Sequence, residues 1–215
     1  VADLVIAGSN YLKVLAFGLN TSVRVVPTPV DLSRYPDRSR ETPGRRIGWM
    51  GTESNFIYLS LLRPALIDLL KKNPEYEFQV VSDAVPDIPG LTFTAKKWER
   101  EREVSELLSF DVGVMPLFDD PWTRGKCSFR IIQYWSAFLP VVCSPVGMNR
   151  EIIREGENGY FADSPSEWFD KLETLLSSAS LRKSLGGEGR REVEEKYCLE
   201  AIFPRLVELL WEAAR

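Results

Sequence analysis

Short apolar segments rich in β-branched residues alternate along this chain with longer segments whose apolar residues recur at helical spacing. Such alternation predicts strands joined by helical crossovers, which is the pattern of a mostly parallel sheet covered on both faces. Because these crossovers are right-handed, we expect an α/β fold with a Rossmann-like, doubly wound parallel sheet. The predicted strands are 46–51, 78–81, 91–94, 112–116, 141–143 and 160–161, and the predicted helices between them are 55–72, 100–108 and 129–137.

Further elements are predicted on both sides of this region. Strands at 3–8 and 23–26, with a helix at 11–19 between them, precede a polar, proline-containing run at 33–46. Prolines propagate neither a helix nor a central strand, so this run predicts an interdomain linker. Pro64 predicts either a kink in the helix at 55–72 or the start of its inner part. A capping serine, a proline and a glutamate at 164–167 predict a helix start, and the rest of the chain is predicted to be helical.

Composition excludes several classes of function. Against 31 Asp and Glu, the 27 Lys and Arg give a formal charge of −4, so no basic field is available to hold a nucleic acid. The chain has no histidine, which excludes Ser–His–Asp and Cys–His catalysis. Three cysteines without CxxC spacing indicate neither a disulfide framework nor a metal site, and they favour a reducing, cytoplasmic location. The longest apolar stretches are far shorter than the ~20 residues that span a bilayer.

Three loops follow predicted strands and enter helices, which is where an open parallel sheet binds its ligands. The first, 51–55, begins with Gly51, which allows a ligand to approach the backbone closely. A plain strand-to-helix turn has the same signature, so the loop alone does not decide between binding and structure. The third loop, 144–149, contains a single turn glycine, which is a common structural feature.

The second loop, 119–128, is richer in charge. Arg124, Lys126 and Arg130 flank the predicted N-terminus of the helix at 129–137, where free N–H groups and the helix dipole favour an anion. The pattern predicts an anion-binding site. The alternative is that these cations are surface charges paired with the two aspartates at the start of the loop.

Taken together, these loops resemble a known family. The segment 125–142, GKCSFRIIQYWSAFLPVV, resembles the nucleotide-sugar-binding segment of group 1 glycosyltransferases, the GT4 family of GT-B enzymes. The segments 144–147 (SPVG), 150–153 (REII) and 156–160 (GENGY) resemble it too, and 2–9 and 25–31 look like the end of the family's N-terminal domain. The resemblance covers nearly the whole chain. It implies the C-terminal, donor-binding half of a GT-B enzyme.

The resemblance also implies a domain organisation. Residues 1–39 are then a remnant of the N-terminal acceptor domain plus the linker, 40–195 the Rossmann-like donor-binding domain, and 196–215 a C-terminal crossover helix. Because Val1 begins in mid-pattern, we expect a fragment that is inactive without its N-terminal domain and that self-associates through uncovered faces.

The implied activity is hexosyl transfer from a UDP- or GDP-sugar to an acceptor glycan, lipid or small molecule. The resemblance implies retention of configuration, no metal and no cofactor other than the donor substrate. It further implies a cytoplasmic protein that contacts the inner membrane face only through the missing half. Two alternatives remain at this point: a GT-B-like sugar-nucleotide epimerase, and a non-catalytic module that binds nucleotide sugars.

This sequence departs from the family pattern at the site itself. The family's two glutamates fall at Gly125 and Gln133, and its usual Arg and Lys after the first strand are replaced by a loop that carries Glu53. Loss of activity is one interpretation. We expect instead that cations of the second loop neutralise the diphosphate, that Gln133 holds the ribose, and that Trp98 stacks on the base. The predicted catalytic residues are Lys126 and Arg130, and the predicted donor-binding residues are Gly51, Thr52, Lys97, Trp98, Arg124, Cys127, Ser128, Phe129 and Gln133.

Overall fold

A six-stranded, fully parallel sheet forms the centre of the protein in a computed structural model that describes residues 2–36 and 44–214. Its order is β5-β4-β3-β6-β7-β8, so the chain starts in the middle, moves to one edge and then crosses back to the other. The predicted doubly wound parallel sheet is confirmed. The strands are β3 Arg46–Met50, β4 Glu77–Ser82, β5 Thr94–Lys97, β6 Val112–Met115, β7 Val141–Cys143 and β8 Tyr160–Phe161, and a separate parallel pair is formed by β1 Val5–Ala7 and β2 Val23–Val25.

Helices cover both faces of the sheet and build two cores. One core joins the sheet to α2 and α7, and the other joins it to α3, α5 and α8. Each layer buries its apolar stripe against the strands, as the helical spacing predicts. The α-helices are α1 Asn10–Phe17, α2 Arg63–Lys72, α3 Glu103–Ser109, α4 Pro121–Arg124, α5 Phe129–Ser136, α6 Asn149–Ile152, α7 Pro165–Ser177, α8 Ala179–Lys196 and α9 Leu199–Ala213, and the 3-10 helices are Leu32–Arg34 and Glu53–Leu61.

Two predicted elements differ from the structure. The helix expected at 55–72 is a 3-10 helix, Glu53–Leu61, followed by α2, because Pro64 in the first turn of α2 has no N–H to continue the preceding hydrogen bonds. The strand expected at 91–94 is instead β5, Thr94–Lys97, which lies at the edge of the sheet and is mostly exposed. The apolar residues that suggested a strand, Leu91 and Phe93, pack into the core from the preceding loop.

The N-terminal segment packs on the C-terminal helices. Val30 N–H donates to the Tyr197 carbonyl at 2.8 Å, and Leu199 N–H donates to the Val30 carbonyl at 3.1 Å. Ile202 and Leu209 of α9 are buried with Val26. The boundary expected between residues 39 and 40 lies outside the described residues, and the three predicted domain ranges stay predictions. None of the helices in the described ranges combines the length and apolar character that a membrane span requires.

Candidate functional site

A cavity of about 290 Å³ opens at the carboxyl ends of β3 and β6. These are the two central strands between which the strand order reverses, and ligands of doubly wound folds bind at that position. Its walls come from the ends of both strands, the first 3-10 turn after β3 and the loop that leads into α5. The lining residues include Gly51, Thr52, Asn55, Tyr58, Lys126, Cys127, Ser128, Phe129 and Arg130.

The first loop turns sharply at Gly51. A Cβ atom on this residue would collide with the indole of Trp49, so glycine is required where the strand ends. Thr52 follows, and its hydroxyl oxygen accepts a hydrogen bond from the Asn55 side-chain amide at 2.8 Å. Glu53 is held away from the cavity wall, because its backbone N–H donates to Asp83 Oδ1 at 2.8 Å. This bond is the main cause of the lowered pKa of Asp83.

Lys126 reaches into the cavity from the second loop. Its ammonium donates to Asn55 Oδ1 at 3.0 Å and lies 5.6 Å from the centroid of the Tyr58 ring. Burial lowers the pKa of Lys126, and the Asp120 carboxylate partly offsets that effect. The cation therefore stands partly desolvated at the cavity wall, where it attracts an anion more strongly than a solvated lysine does.

The N-terminus of α5 forms the next part of the wall. Ser128 adopts a left-handed conformation with φ of 49°, and its hydroxyl donates to Asn149 Oδ1 at 2.7 Å. The Ser128 side chain therefore does not cap α5, and the positive end of the helix faces the lining of the cavity without a side-chain acceptor. Nη1 of Arg130 is buried and has no hydrogen-bond partner among the described residues. An unpartnered guanidinium nitrogen at a helix N-terminus is suited to bind an oxyanion.

Tyr134 fixes α5 relative to the two strands that end at the cavity. Its hydroxyl accepts a hydrogen bond from Met50 N–H of β3 at 3.1 Å and donates to the Val114 carbonyl of β6 at 3.3 Å. The ring lies against Gly113, where a Cβ atom would collide with it. Arg130, one turn earlier on α5, is thereby held over the strand ends.

Arg124 lies differently from the other two cations of its loop. It is not among the residues that line the cavity, and its Nε donates to Asp119 Oδ1 at 2.6 Å. That hydrogen bond is the main cause of the lowered pKa of Asp119. The pairing considered above as an alternative thus occurs at Arg124, whereas Lys126 and Arg130 line the cavity. The donor-binding role expected of Arg124 stays a prediction.

Cys127 lies between the second loop and the N-terminal segment. It is half-buried, and its Sγ is so close to Gly8 that a Cβ atom at residue 8 would collide with it. Burial raises the pKa of the Cys127 thiol. Within the described ranges, no group of three or more Cys, Asp or Glu side chains is arranged to hold a metal ion.

The residues predicted for the base and the ribose lie beside the cavity and not in its lining. Glu103 joins two of them, because its Oε1 accepts from Gln133 Nε2 at 3.2 Å and lies 3.4 Å from Trp98 Nε1. Lys97 is exposed at the end of the edge strand β5. Gln133 is only 4% exposed, and its Oε1 is buried without a partner among the described residues. Since Gln133 follows Arg130 by three residues on α5, the predicted base, ribose and phosphate residues form one continuous line.

Tyr35 from the N-terminal segment covers this line. It is buried, and burial followed by the Glu103 carboxylate raises its pKa, whereas a hydrogen bond with Gln133 lowers it. Arg34 Nη2 lies 3.7 Å from Glu103 Oε2. The segment predicted to be a linker therefore touches the candidate site.

Sequence reasoning missed Tyr58, Glu103, Tyr35 and Asn149 as parts of the site. Only Tyr58 carried a usable signal, since it lies three residues after Asn55 and so on the same side of a helical segment. The other three reach the site through tertiary packing, which a sequence pattern does not reveal.

Comparison with known proteins gives a family. A family model for glycosyl transferases group 1 matches residues 46–178. Spore coat protein SA of Bacillus subtilis is 35% identical over 75 residues, which are 34% of this chain and 20% of that protein. The chain thus spans about a fifth of the length of this curated relative.

Solved structures match over most of the chain. TarM of S. aureus aligns with a TM-score of 0.78 and 16% identity over 96% of this chain and 43% of TarM. Anabaena Alr3699/HepE, solved with UDP-glucose, aligns with a TM-score of 0.79 and 13% identity over 98% of this chain and 64% of that chain. The C-terminal domain of the group 1 protein LpcC from Francisella tularensis aligns with a TM-score of 0.60 and 22% identity over 79% of this chain and 99% of that domain.

At these identities the structural matches establish the fold, and the expected C-terminal half of a GT-B protein is confirmed. The family rests on the family model, which covers more than half of the chain and includes every residue that lines the cavity. The chain therefore belongs to the glycosyl transferases of group 1.

Proposed function

We propose that this chain is the donor-binding half of a glycosyltransferase that takes a sugar from UDP or GDP and transfers it to an acceptor. One observation carries the proposal: Lys126, the unpartnered Nη1 of Arg130 and the uncapped N-terminus of α5 all line one cavity at the switch point of the sheet. The cavity thus offers two cations and a helix N-terminus to one anion. A diphosphate matches this arrangement in charge.

In the proposed reaction, the bond between the transferred hexose and the diphosphate breaks, and negative charge grows on the departing nucleotide. Lys126 and Arg130 stabilise that charge from fixed positions, which lowers the barrier without a titrating histidine. We infer that transfer retains configuration and needs no metal ion. Gly51 and Thr52 let the diphosphate approach the backbone, and Cys127, Ser128 and Phe129 provide main-chain N–H groups at the start of α5.

The nucleoside extends along the line of residues beside the cavity. We infer that Gln133 and Glu103 bind the ribose and that Trp98, with Lys97 beside it, binds the base. The structures of Anabaena Alr3699/HepE support a uridine nucleotide, since they contain UDP, with glucose in one structure, or UDP-glucose. GDP remains the alternative that a titration distinguishes.

The acceptor half lies outside this chain in our proposal. TarM, of which the chain covers 43%, was solved in complex with fondaparinux, α-GlcNAc-glycerol and UDP, which supports a glycan or a glycosylated small molecule as the acceptor. We infer that the isolated chain binds donor but does not transfer sugar, and that the whole enzyme works in the cytoplasm, with membrane contact only through its other half.

Titration with UDP and with GDP tests the proposal. We expect weak binding of one of them, with NMR shifts at Gly51, Lys126, Arg130 and Trp98. Adenosine diphosphate serves as the control for the base, since it brings the same diphosphate. Saturating UDP and GDP without any response, or shifts confined to residues far from the cavity, would contradict the donor site.

Gly125 favours a second candidate, a non-catalytic nucleotide-sugar-binding module. Its φ of −75° and ψ of −9° suit any residue, so no backbone constraint explains why the family's sugar-contacting glutamate is absent. Full-length protein incubated with donor and acceptor discriminates the candidates. Transfer supports the enzyme, binding without turnover supports the module, and an isomerised sugar nucleotide supports the epimerase.

A further inference from the structure

Asn55 holds the ammonium group of Lys126 in a defined direction. Its Oδ1 accepts from Lys126 Nζ at 3.0 Å, while its Nδ2 donates to Thr52 Oγ1 at 2.8 Å. The two bonds fix the carboxamide orientation, because a flipped amide would point its NH₂ group at the ammonium. Asn55 N–H also donates to the Thr52 carbonyl at 2.9 Å, which anchors the residue in its turn.

Tyr58 supports Lys126 from a second side. The ammonium lies 5.6 Å from the centroid of the ring, within the range of cation–π attraction. A lysine side chain loses considerable rotamer entropy when it is fixed, so an ordered Lys126 needs such contacts. Both contacts come from the 3-10 helix Glu53–Leu61, whereas Lys126 lies in the loop before α5.

Both partners of Lys126 are neutral. Within the described part of the chain Lys126 forms no ion pair, although Asp120 is near enough to act on its pKa. A carboxylate at position 55 would neutralise the ammonium and compete with an incoming anion. A carboxamide orients the charge and leaves it available.

We propose that Asn55 is a positioning residue that, together with the Tyr58 ring, holds the Lys126 ammonium ready for the phosphate oxygens of a nucleoside diphosphate. The inference rests on the proposed function and adds the residue that sets the direction of the cation. On binding, phosphate oxygens take hydrogen bonds from Lys126 that the free protein leaves unused.

A pH profile reports on this arrangement. The ionisable groups of the elements around Lys126 are Asp120 at the start of α4, Tyr58 and Glu53 of the 3-10 helix, Cys127 of the same loop and Arg130 of α5. Burial lowers the pKa of Lys126, and a bound phosphate raises it again. UDP affinity therefore falls on the alkaline side as Lys126 loses its proton, and binding there takes up protons.

The experiment is calorimetric titration of UDP across neutral to alkaline pH with the parent and its variants. Asn55→Ala should weaken binding about three- to tenfold, the range for one lost hydrogen bond. Asn55→Asp should weaken it as well, and should move the alkaline fall in affinity to higher pH because a carboxylate raises the pKa of Lys126. Asn73→Asp adds the same charge at the end of α2, outside the cavity, and should leave both the affinity and the profile unchanged.

Tyr58 provides a second readout. Tyr58→Leu should weaken UDP binding, and Tyr58→Phe, which keeps the ring, should regain most of the loss. Circular dichroism of each variant excludes unfolding as the cause. If Lys126→Met weakens binding while Asn55→Ala and Asn55→Asp match the parent in affinity and pH profile, the positioning role is wrong and the proposed function stands. If the parent binds neither UDP nor GDP, both are wrong.

Discussion

At the scale of single residues, Lys126 and Arg130 carry the expected affinity for a diphosphate. Charge-assisted hydrogen bonds of this kind contribute roughly 1.5–3 kcal/mol each, so Lys126→Ala or Arg130→Ala should lower UDP affinity about ten- to hundredfold. Calorimetry measures the change, and Lys183→Ala, which removes an exposed lysine of α8, serves as the control. A double variant that binds UDP and GDP as tightly as the parent would contradict the diphosphate site.

The two cations also allow affinity and stability to be separated. Nη1 of Arg130 is buried without a partner among the described residues, and burying an unsatisfied charged group costs stability. Removing Arg130 should therefore leave the free energy of unfolding unchanged or raise it, even as affinity falls. Such opposite changes are expected of a residue retained for binding.

Gln133 explains one departure from the family pattern. Its Nε2 donates to Glu103 Oε1 at 3.2 Å, so a glutamate at position 133 would bring two carboxylates together. Gln133→Glu should lower the free energy of unfolding at neutral pH by about 1–3 kcal/mol, since a donor is lost and like charges meet.

The pH dependence of this variant identifies the cause. One carboxyl of the pair would have its pKa raised above the unfolded value, so the folded state gains stability as the pH falls and loses it as the pH rises. Urea unfolding at mildly acidic and neutral pH measures the difference from the parent. A loss that is equal at both pH values would mean that packing, and not charge, is responsible.

The site was predictable where it depends on chain order. Gly51 and Lys126 follow different strands, and the strand-order rule is sufficient to bring their loops together. Glu103 lies 30 residues from its partner Gln133, and Asn55 lies 71 residues from Lys126. These pairs depend on how α3 and the 3-10 helix pack, and no local pattern encodes that packing.

At the scale of elements, two glycines of α8 provide a matched pair. A Cβ atom at Gly187 would meet no atom within 4 Å, whereas at Gly189 it would collide with the indole of Trp135 on α5. Gly187→Ala should raise the free energy of unfolding by about 0.5–1 kcal/mol through helix propensity. Gly189→Ala should lower it by about 1–3 kcal/mol because α5 and α8 can no longer approach closely. Urea denaturation measures both, and equal effects of the two substitutions would contradict the close contact.

Tyr134 joins α5 to β3 and β6 through its hydroxyl, and Tyr134→Phe removes this connection. We expect a loss of about 1–3 kcal/mol in the free energy of unfolding, since Met50 N–H is left buried without an acceptor. Because α5 also carries Arg130, UDP affinity should fall slightly. A variant as stable as the parent would show that water or a shifted strand satisfies Met50.

Alkaline unfolding separates this role from simple packing. Burial raises the pKa of Tyr134 to about 12, so its contribution is fully present below the unfolded pKa of about 10 and is lost as the pH rises toward 12. Tyr134→Phe should therefore show a shallower loss of stability over this range. The decline persists in part, because the pKa of Tyr197 is also raised to about 12, mainly by burial.

The two elements that differ from the sequence prediction have physical causes. β5 has the sequence Thr-Ala-Lys-Lys at an edge of the sheet, so it needs no apolar alternation and gives no strand signal. The nearby Phe93 gave that signal instead, and it packs against Phe78 with ring centroids 6.4 Å apart. In both cases the pattern reported burial correctly and the hydrogen bonding incorrectly.

At the scale of the whole molecule, the sheet and its two cores account for most of the apolar residues, and α1 and α9 are the exceptions. α1 contains no buried residue, and Leu19 just beyond it is 90% exposed. α9 buries Ile202 and Leu209 but leaves Trp211 67% exposed. The faces they present are apolar, and a monomer seldom exposes contiguous apolar patches beyond a few hundred Å². We propose that the acceptor half covers these faces in the whole enzyme.

In the isolated chain, we expect these faces to pair with a second copy. The apolar side chains involved lie on α1 and on the outer face of α9, and their burial is favourable by roughly 25 cal/mol per Å². Light scattering over a concentration series should therefore show reversible association, and Leu15→Lys with Trp211→Lys should abolish it by placing charges on both faces. Val85→Lys, which alters an exposed apolar residue away from both helices, should associate like the parent. A parent chain that is monomeric at every concentration would mean that the exposed side chains of α1 and α9 do not form a continuous apolar surface.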